Sequence, residues 1–230
     1  MTTTEVIRPS ISQPSITPTA ELVVLGSSGH AREVTWIAHA AGHAVLGCVG
    51  PRRPAEVSRL SVPWLGEDDW LDTADTAVEY VIGIGSGAAR ARTDEVASRN
   101  GRRARSLFFP AAVTGARTSM GGGSVLWPGA IVTTDVRLGR HVHVGAGVTV
   151  GHDTELADYV TLLPGCTVAG GCRIGTGSTI GAGATVIDNI SVGANSMVGA
   201  GAVVVRDVPD DTVVVGVPAR ILRSAGPMPA

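Results

Sequence analysis

The stretch CRIGTGSTIGAGATVIDNISVGANSMVGAGAVV, Cys172 to Val204, decides the fold. Ile174, Ile180, Val186, Val192, Val198 and Val204 fall on every sixth position, and the comb runs back through Val168, Leu162, Leu156, Val150, Val144, Leu138, Val132 and Leu126. All fourteen positions are Leu, Ile or Val. The residue two places earlier is mostly small or β-branched, and the residue after is often glycine, as at Gly139, Gly145, Gly151, Gly175 and Gly181. Neither the helical period of 3.6 nor the strand period of 2 produces a six. A unit of one short strand and one turn does. Three units close a triangular coil, so residues 18 apart stack at about 4.8 Å. The aliphatic residue points inward, the small one fits the corner, and glycine is expected to supply an unusual φ at the turn. The reading is a parallel β-helix over residues 111–208, of about four to five coils that bury their aliphatics only by stacking. Residues 209–230 follow as a closing segment, read as a strand and a short helix.

The composition agrees with such a wall. The chain has 230 residues, 31 glycines and 3% aromatics, so its core is aliphatic. A net charge of −2 gives no basic field for nucleic acid or a membrane surface. The densest basic run, Arg102, Arg103 and Arg105, is expected in a solvated turn. No apolar run approaches the ~18 residues that span a bilayer. Three scattered cysteines, Cys48, Cys166 and Cys172, make neither a disulfide framework nor a zinc cluster. Residues 1–20 are rich in Thr, Ser and Pro and lack a signal-peptide core, so they read as a mobile leader. These features together point to a soluble, cytoplasmic protein.

Residues 21–110 read as a different unit. ELVVLG is a buried strand, HAREVTWIAHAAG an amphipathic helix closed by Gly42, and HAVLGCVG a second strand. EYVIGIGSG and ARARTDEVASRNG repeat the pattern. Alternating strands and helices imply a Rossmann-like α/β domain with a parallel sheet. Its first loop, GSSGHA (Gly26–Ala31), ends at a helix N-terminus, where backbone N–H groups suit phosphate. It lacks the first Gly-x-Gly of a dinucleotide fingerprint. Arg90 opens the later helix and fits either a phosphate or solvent.

One rung breaks the repeat with chemistry. His152 lies two places after inward Val150, so it projects outward, stacked between Thr134 and Gly170. Asp153 can accept from its Nδ1–H and orient the ring as a general base. A surface histidine with a chance acidic neighbour is the plainer alternative. His141 and His143 lack an acidic neighbour and are expected at the surface. Gly170, with no side chain, is placed to offer a backbone N–H to an oxyanion.

The hexapeptide comb, the GSSGHA loop and the GHD rung at Gly151–Asp153 together resemble a family of sugar acyltransferases. It includes the sialic acid O-acetyltransferases and the N-acetyltransferases that act on UDP-4-amino sugars. The resemblance spans roughly Glu21 to Ser224. It implies a left-handed β-helix, a homotrimer with acetyl-CoA bound between neighbouring helices, and a nucleotide-linked amino sugar, UDP or GDP, as acceptor. It implies His152 as base with Asp153, and Ser28, Gly29 and His30, with Gly85 nearby, at the nucleotide sugar. It implies Thr161, Ala182 and Ala200 along the pantetheine groove, with no metal. Arg220 is a weaker candidate for a coenzyme phosphate. The chain departs from the pattern at CVGPRRP, where relatives often carry Asp, at Thr161, where they often carry a second histidine, and at Phe109-Pro110 in place of His-Pro. Two other readings stay open from the residues: acylation of another small hydroxyl or amine, and a non-catalytic or carbonic-anhydrase-like helix using His141, His143 and His152 around a metal.

Overall fold

The computed structural model describes residues 21–51, 55, 58–99 and 101–224. The leader, residues 1–20, and the end of the closing segment, 225–230, lie outside the described residues. The first unit is a parallel sheet of β1 (Leu22–Leu25), β2 (Val45–Val49), β3 (Trp64–Gly66) and β4 (Glu79–Ile82), in the order β3-β2-β1-β4. Helix α1 (Gly29–Ala40) crosses from β1 to β2, α2 (Trp70–Thr73) follows β3, and α3 (Gly87–Ser98) follows β4. Continuous apolar runs such as LVVL suit a sheet covered on both faces. Strand β3 is too short, at three residues, for any periodicity to mark it.

The second unit is the β-helix. Two-residue strands stack into three parallel ladders, each pairing residues 18 apart, such as His143 with Thr161 and Arg137 with Glu155. The first face carries Leu107–Phe108, Val125–Leu126, His143–Val144, Thr161–Leu162, Thr179–Ile180 and Met197–Val198. The second carries Val113, Ile131, Thr149, Thr167, Thr185 and Val203 as outward residues, and the third Ser119, Arg137, Glu155, Arg173 and Ser191. The inward comb is buried as one core, with Val144, Val150, Ile180 and Val198 at 0% exposure. The coil's first strand, Leu107–Phe108, pairs with Val125–Leu126 and so precedes residue 111. No helix among the described residues is long and apolar enough to cross a membrane.

Three expectations change. The glycine after each aliphatic residue does not carry the left-handed turn. That conformation falls three places after the aliphatic residue, at Asp153, Asn189, Asn195, Gly177 and their equivalents, with φ near 60°. Gly151 and Gly175 are needed for close approach instead: a Cβ would lie 2.5 Å from Gly170 N and 2.4 Å from Ala194 N of the next coil. The closing segment contains no described helix. Thr212–Val215 extends the first face beside Met197–Val198, and Arg220–Ser224 folds back antiparallel to it. The β-branched run TVVV favours strand, and Gly216, at φ 96°, lets the chain reverse. Finally, Arg102 is buried, donating to the carbonyls of Leu71 at 2.8 Å and Ala74 at 2.6 Å, because the C-terminal end of α2 leaves those acceptors open. Arg105 pairs with Glu79, while Arg103, 3.9 Å from the same carboxylate, stays largely in solvent.

The two units share a core. Leu22, Val24, Val34 and Ile37 pack with Leu107, Val125 and Trp127, so the α/β domain is seated on the first face near the start of the coil.

Candidate active site

His152 stands on the edge joining the second and third faces, between Thr149–Val150 and Glu155–Leu156. Its side chain is 66% exposed, and Nδ1 lies 2.7 Å from Asp153 Oδ2. The carboxylate only accepts, so the ring proton sits on Nδ1 and Nε2 carries a free lone pair. The ring leans over Gly170: a Cβ there would be 2.8 Å from Nε2. Glycine at 170 therefore makes room for the imidazole. Its expected role as an open N–H donor is corrected, because that N–H already donates to Asp188 Oδ1 at 3.1 Å. The same device recurs at other corners, where the Arg140 and Ala194 N–H groups are held by Asp158 at 2.8 Å and Asp210 at 2.7 Å.

The loop Gly26–Ala31 closes β1 against α1. Ser28 is the extended N-cap residue of α1 and is exposed, Gly29 opens the helix, and the Arg32 N–H is satisfied by the Ser28 carbonyl. His30 turns toward the first face of the coil. Its Nε2 is 3.0 Å from His143 Nδ1, and both rings pack against Trp127 at centroid distances of 5.1–5.2 Å. These three side chains, with Glu33, Thr161 and an apolar wall of Leu162, Leu163 and Pro164, line a pocket of about 180 Å³. Burial, then the nearby Arg90 charge, hold His30 down to about 4, and the same causes hold His143 well below the ordinary histidine value. Both rings are neutral at physiological pH. A shallower recess of about 240 Å³ lies beyond β2 and β3, walled by Pro51, Glu67, Asp68 and Asp69. Its carboxylates disfavour phosphate.

A buried polar seam joins the two units beside this pocket. Arg90, expected at a phosphate or in solvent, has 0% exposure. It donates to the carbonyls of Gly85 at 2.9 Å, Tyr159 at 2.8 Å and His141 at 3.1 Å, and to Thr161 Oγ1 at 2.9 Å. All are neutral acceptors, and burial lowers it to about 9. Close by, Asp94 accepts from Tyr80, from Tyr159 at 2.6 Å and from Arg140, with His141 Nε2 at 2.9 Å. Burial opposes its charge, yet hydrogen bonds from His141, Tyr159 and Tyr80 keep it well below the usual carboxylate range. Gly87 permits this contact, since a Cβ would meet the Tyr159 carbonyl at 2.5 Å.

His141 and His143 are therefore buried, against the surface expected of them, because the α/β domain covers the rungs that carry them. Each is committed, to Asp94 and to His30, and no three His, Cys, Asp or Glu side chains among the described residues are grouped to hold a metal. Thr161 sits on the covered first face, whereas Ala182 and Ala200 are exposed on the edge joining the first and second faces, in line with Ala146 and Pro164. Gly85 is exposed, and a Cβ at that position would stand 4.0 Å from His30 Nδ1. Thus His30 and Thr161 line one pocket, with Ser28 and Gly29 just before His30 in the loop and Gly85 beside its ring, while His152, Asp153 and Gly170 occupy the edge opposite the first face. Trp127, Glu33, His143 and Arg90 complete the pocket side and carry no local sequence signal, since only the docking of the two units brings them together.

Comparison with known proteins agrees in both halves. Residues 117–152 and 153–188 match the bacterial transferase hexapeptide model of six repeats, and residues 21–95 match the PglD N-terminal domain. No curated protein sequence matches the chain. Among solved structures, the acetyltransferase domain of PglB from Neisseria gonorrhoeae with acetyl coenzyme A is 31% identical. It superposes with a TM-score of 0.83 over 88% of this chain and 99% of that one. PerB from Caulobacter crescentus, with CoA and GDP-perosamine, is 30% identical at a TM-score of 0.83, covering 92% and 100%. WeeI from Acinetobacter baumannii is 26% identical at 0.77, covering 89% and 100%.

Proposed function

Since this chain belongs to the hexapeptide-repeat sugar acetyltransferases, we propose that it moves the acetyl group of acetyl-CoA onto the amino group of a nucleotide-linked amino sugar. The observation that carries this reading is the separation of two specialised sites on one rigid scaffold. One is an outward imidazole locked to a carboxylate, His152 with Asp153. The other is a partly apolar pocket, lined by two uncharged imidazoles and Glu33, beneath a phosphate-suited loop, Gly26–Ala31. GDP-perosamine bound to PerB supports a nucleotide amino sugar as acceptor, and acetyl coenzyme A bound to the PglB domain supports the donor.

In this reading the loop holds the nucleotide sugar by the N-terminal backbone of α1, with Ser28, Gly29, His30 and Gly85 at its contacts. The pantetheine arm runs along the exposed Ala182 and Ala200 edge, where small side chains leave the coil surface open. His152 Nε2 takes a proton as the amine attacks the thioester carbonyl, and Asp153 stabilises the resulting imidazolium. The tetrahedral intermediate expels the coenzyme A thiolate, which takes up a proton. Because His152 and the pocket lie on opposite sides of one coil, each complete site pairs the pocket of one protomer with His152 of another, which favours the homotrimer.

The test is a thiol-release assay with acetyl-CoA and a panel of UDP-, GDP- and dTDP-linked amino sugars, with free amino acids as the contrasting acceptors. Release with one nucleotide amino sugar, and the product's mass raised by one acetyl group, is the expected result. Turnover confined to free amino acids, or none with any acceptor, overturns the reading.

A further inference from the structure

His143 is a buried imidazole that the proposed chemistry does not use. It is 1% exposed, its Nδ1 meets His30 Nε2 at 3.0 Å, and its Nε2 has no hydrogen-bond partner. On the ladder it pairs with Val125 below and Thr161 above, so an aliphatic residue fits that rung without disturbing the coil.

The Nδ1···Nε2 contact holds a single proton, and its owner follows from the surroundings. If His30 donated, His143 would carry its own proton on Nε2, leaving a buried N–H with no acceptor. Orphaned buried donors of that kind are rare and costly. If His143 donates, its Nε2 is only an unused lone pair. His30 must then carry its proton on Nδ1, which lies 3.7 Å from Glu33 Oε2, an acceptor-only group. Both ends of the chain favour this second arrangement. We propose that His143 is a positioning residue for the acceptor site: by donating Nδ1–H to His30 Nε2, it fixes the His30 ring and places its proton on Nδ1, the nitrogen facing Glu33 and Gly85.

The consequence lies at the nucleotide-sugar loop and rests on the transferase reading above. His30 presents a hydrogen-bond donor without a positive charge, so it can orient a phosphate or sugar oxygen without adding a charge to the pocket. The charged and titratable groups around it are Glu33 on its own helix, Arg90 on α3, and His141 and His143 on the coil. Burial first, and then the nearby Arg90 charge, disfavour a second cation here, which keeps the pair in its neutral, tautomer-locked form.

The test uses the full chain with ¹⁵N-labelled histidine, whose ring shifts distinguish the Nδ1–H from the Nε2–H form. Wild type is expected to show His30 as the Nδ1–H tautomer from neutral pH down to pH 5. His143→Val should give a mixture of tautomers, and His143→Asn, whose amide donates from nearly the same place, should restore the single form. With an identified acceptor, His143→Val should raise KM for the nucleotide sugar about tenfold, the size of one hydrogen bond, with KM for acetyl-CoA unchanged. A wild-type His30 protonated on Nε2, or the same tautomer in His143→Val as in wild type, overturns the proposal. So does an altered tautomer with an unaltered nucleotide-sugar KM. If no acceptor supports turnover, the transferase reading fails, while the NMR result still decides the His30–His143 relation.

Discussion

At the residue scale, His152 and Gly170 work as a unit of shape before any chemistry. His152→Asn keeps a polar outward side chain and leaves the buried comb untouched, so the fold should survive. Loss of a general base typically lowers rate by about 10²–10⁴. Asp153→Asn should cost less, because the base remains and only its orientation weakens. Steady-state rates across pH for both variants check this, and wild-type turnover in His152→Asn would remove the residue from the mechanism. His152 was legible in the sequence because its rung broke a regular repeat and its partner was the next residue. His143 and Arg90 were not legible. Their partners are 113 residues away at His30 and 71 away at Thr161, and only the seating of one unit on the other makes those contacts.

At the element scale, the period-six comb gave both architecture and register, because each coil must offer an aliphatic residue to the same interior line. The conformation of the turn was harder to read. Glycine serves two needs in this coil, and the sequence shows only its presence. The left-handed residue accepts Asp and Asn as readily as Gly, as at Asp153 and Asn189, whereas the glycine after the aliphatic residue is demanded by contact with the next coil. Gly175→Ala should therefore destabilise the protein by about 1–3 kcal/mol, the usual cost of overpacking, measured as a lower urea midpoint. Gly29→Val makes the opposite case. Its Cβ would meet only Arg32 Nη2, at 3.4 Å, so the fold should tolerate it. The valine side chain would intrude where phosphate approaches the α1 N-terminus. KM for the nucleotide sugar should rise while KM for acetyl-CoA holds, and equal damage to both would assign the loop a purely structural part.

At the scale of the whole molecule, two properties follow from how the units meet. The first is acid sensitivity. His30 titrates at about 4 and His143 well below 6.5 when folded, whereas both take the ordinary 6.5 when unfolded. Above 6.5 neither state is protonated and the buried seam is intact. As pH falls from 6.5 toward 4 the unfolded chain gains protons that the folded chain refuses, so stability drops. The slope is up to about 1.4 kcal/mol per pH unit for each imidazole. Asp94, held low, loses its contribution only in more acid solution, below the ordinary carboxylate value of 3.8. Urea midpoints at pH 7.5, 6 and 5 should fall in that order, and His143→Val should flatten the decline. The second property is assembly. The third face carries Arg137, Glu155 and Arg173 toward solvent, whereas the second presents only Val113, Ile131, Thr149, Thr167, Thr185 and Val203. Ile131 and Val113 are exposed on it, and Leu163 and Ile187 are exposed at its two edges. Those edges are the ones that carry the Ala182–Ala200 line and His152. A head-to-tail contact across this uncharged face brings the His152 edge of one protomer toward the pocket edge of the next, and a three-sided prism closes such a contact as a threefold ring. Sedimentation should give a trimer at micromolar concentration. Ile131→Glu, on the outward line of the second face and in contact with neither the His152–Asp153 pair nor the pocket lining, should yield folded monomers that bind nucleotide sugar but lack turnover. Mixing a His152→Asn chain with a Gly29→Val chain should restore activity at low nucleotide-sugar concentration, because some mixed interfaces then pair an intact loop with an intact base. Full activity in the Ile131→Glu monomer would show that one chain holds a complete site.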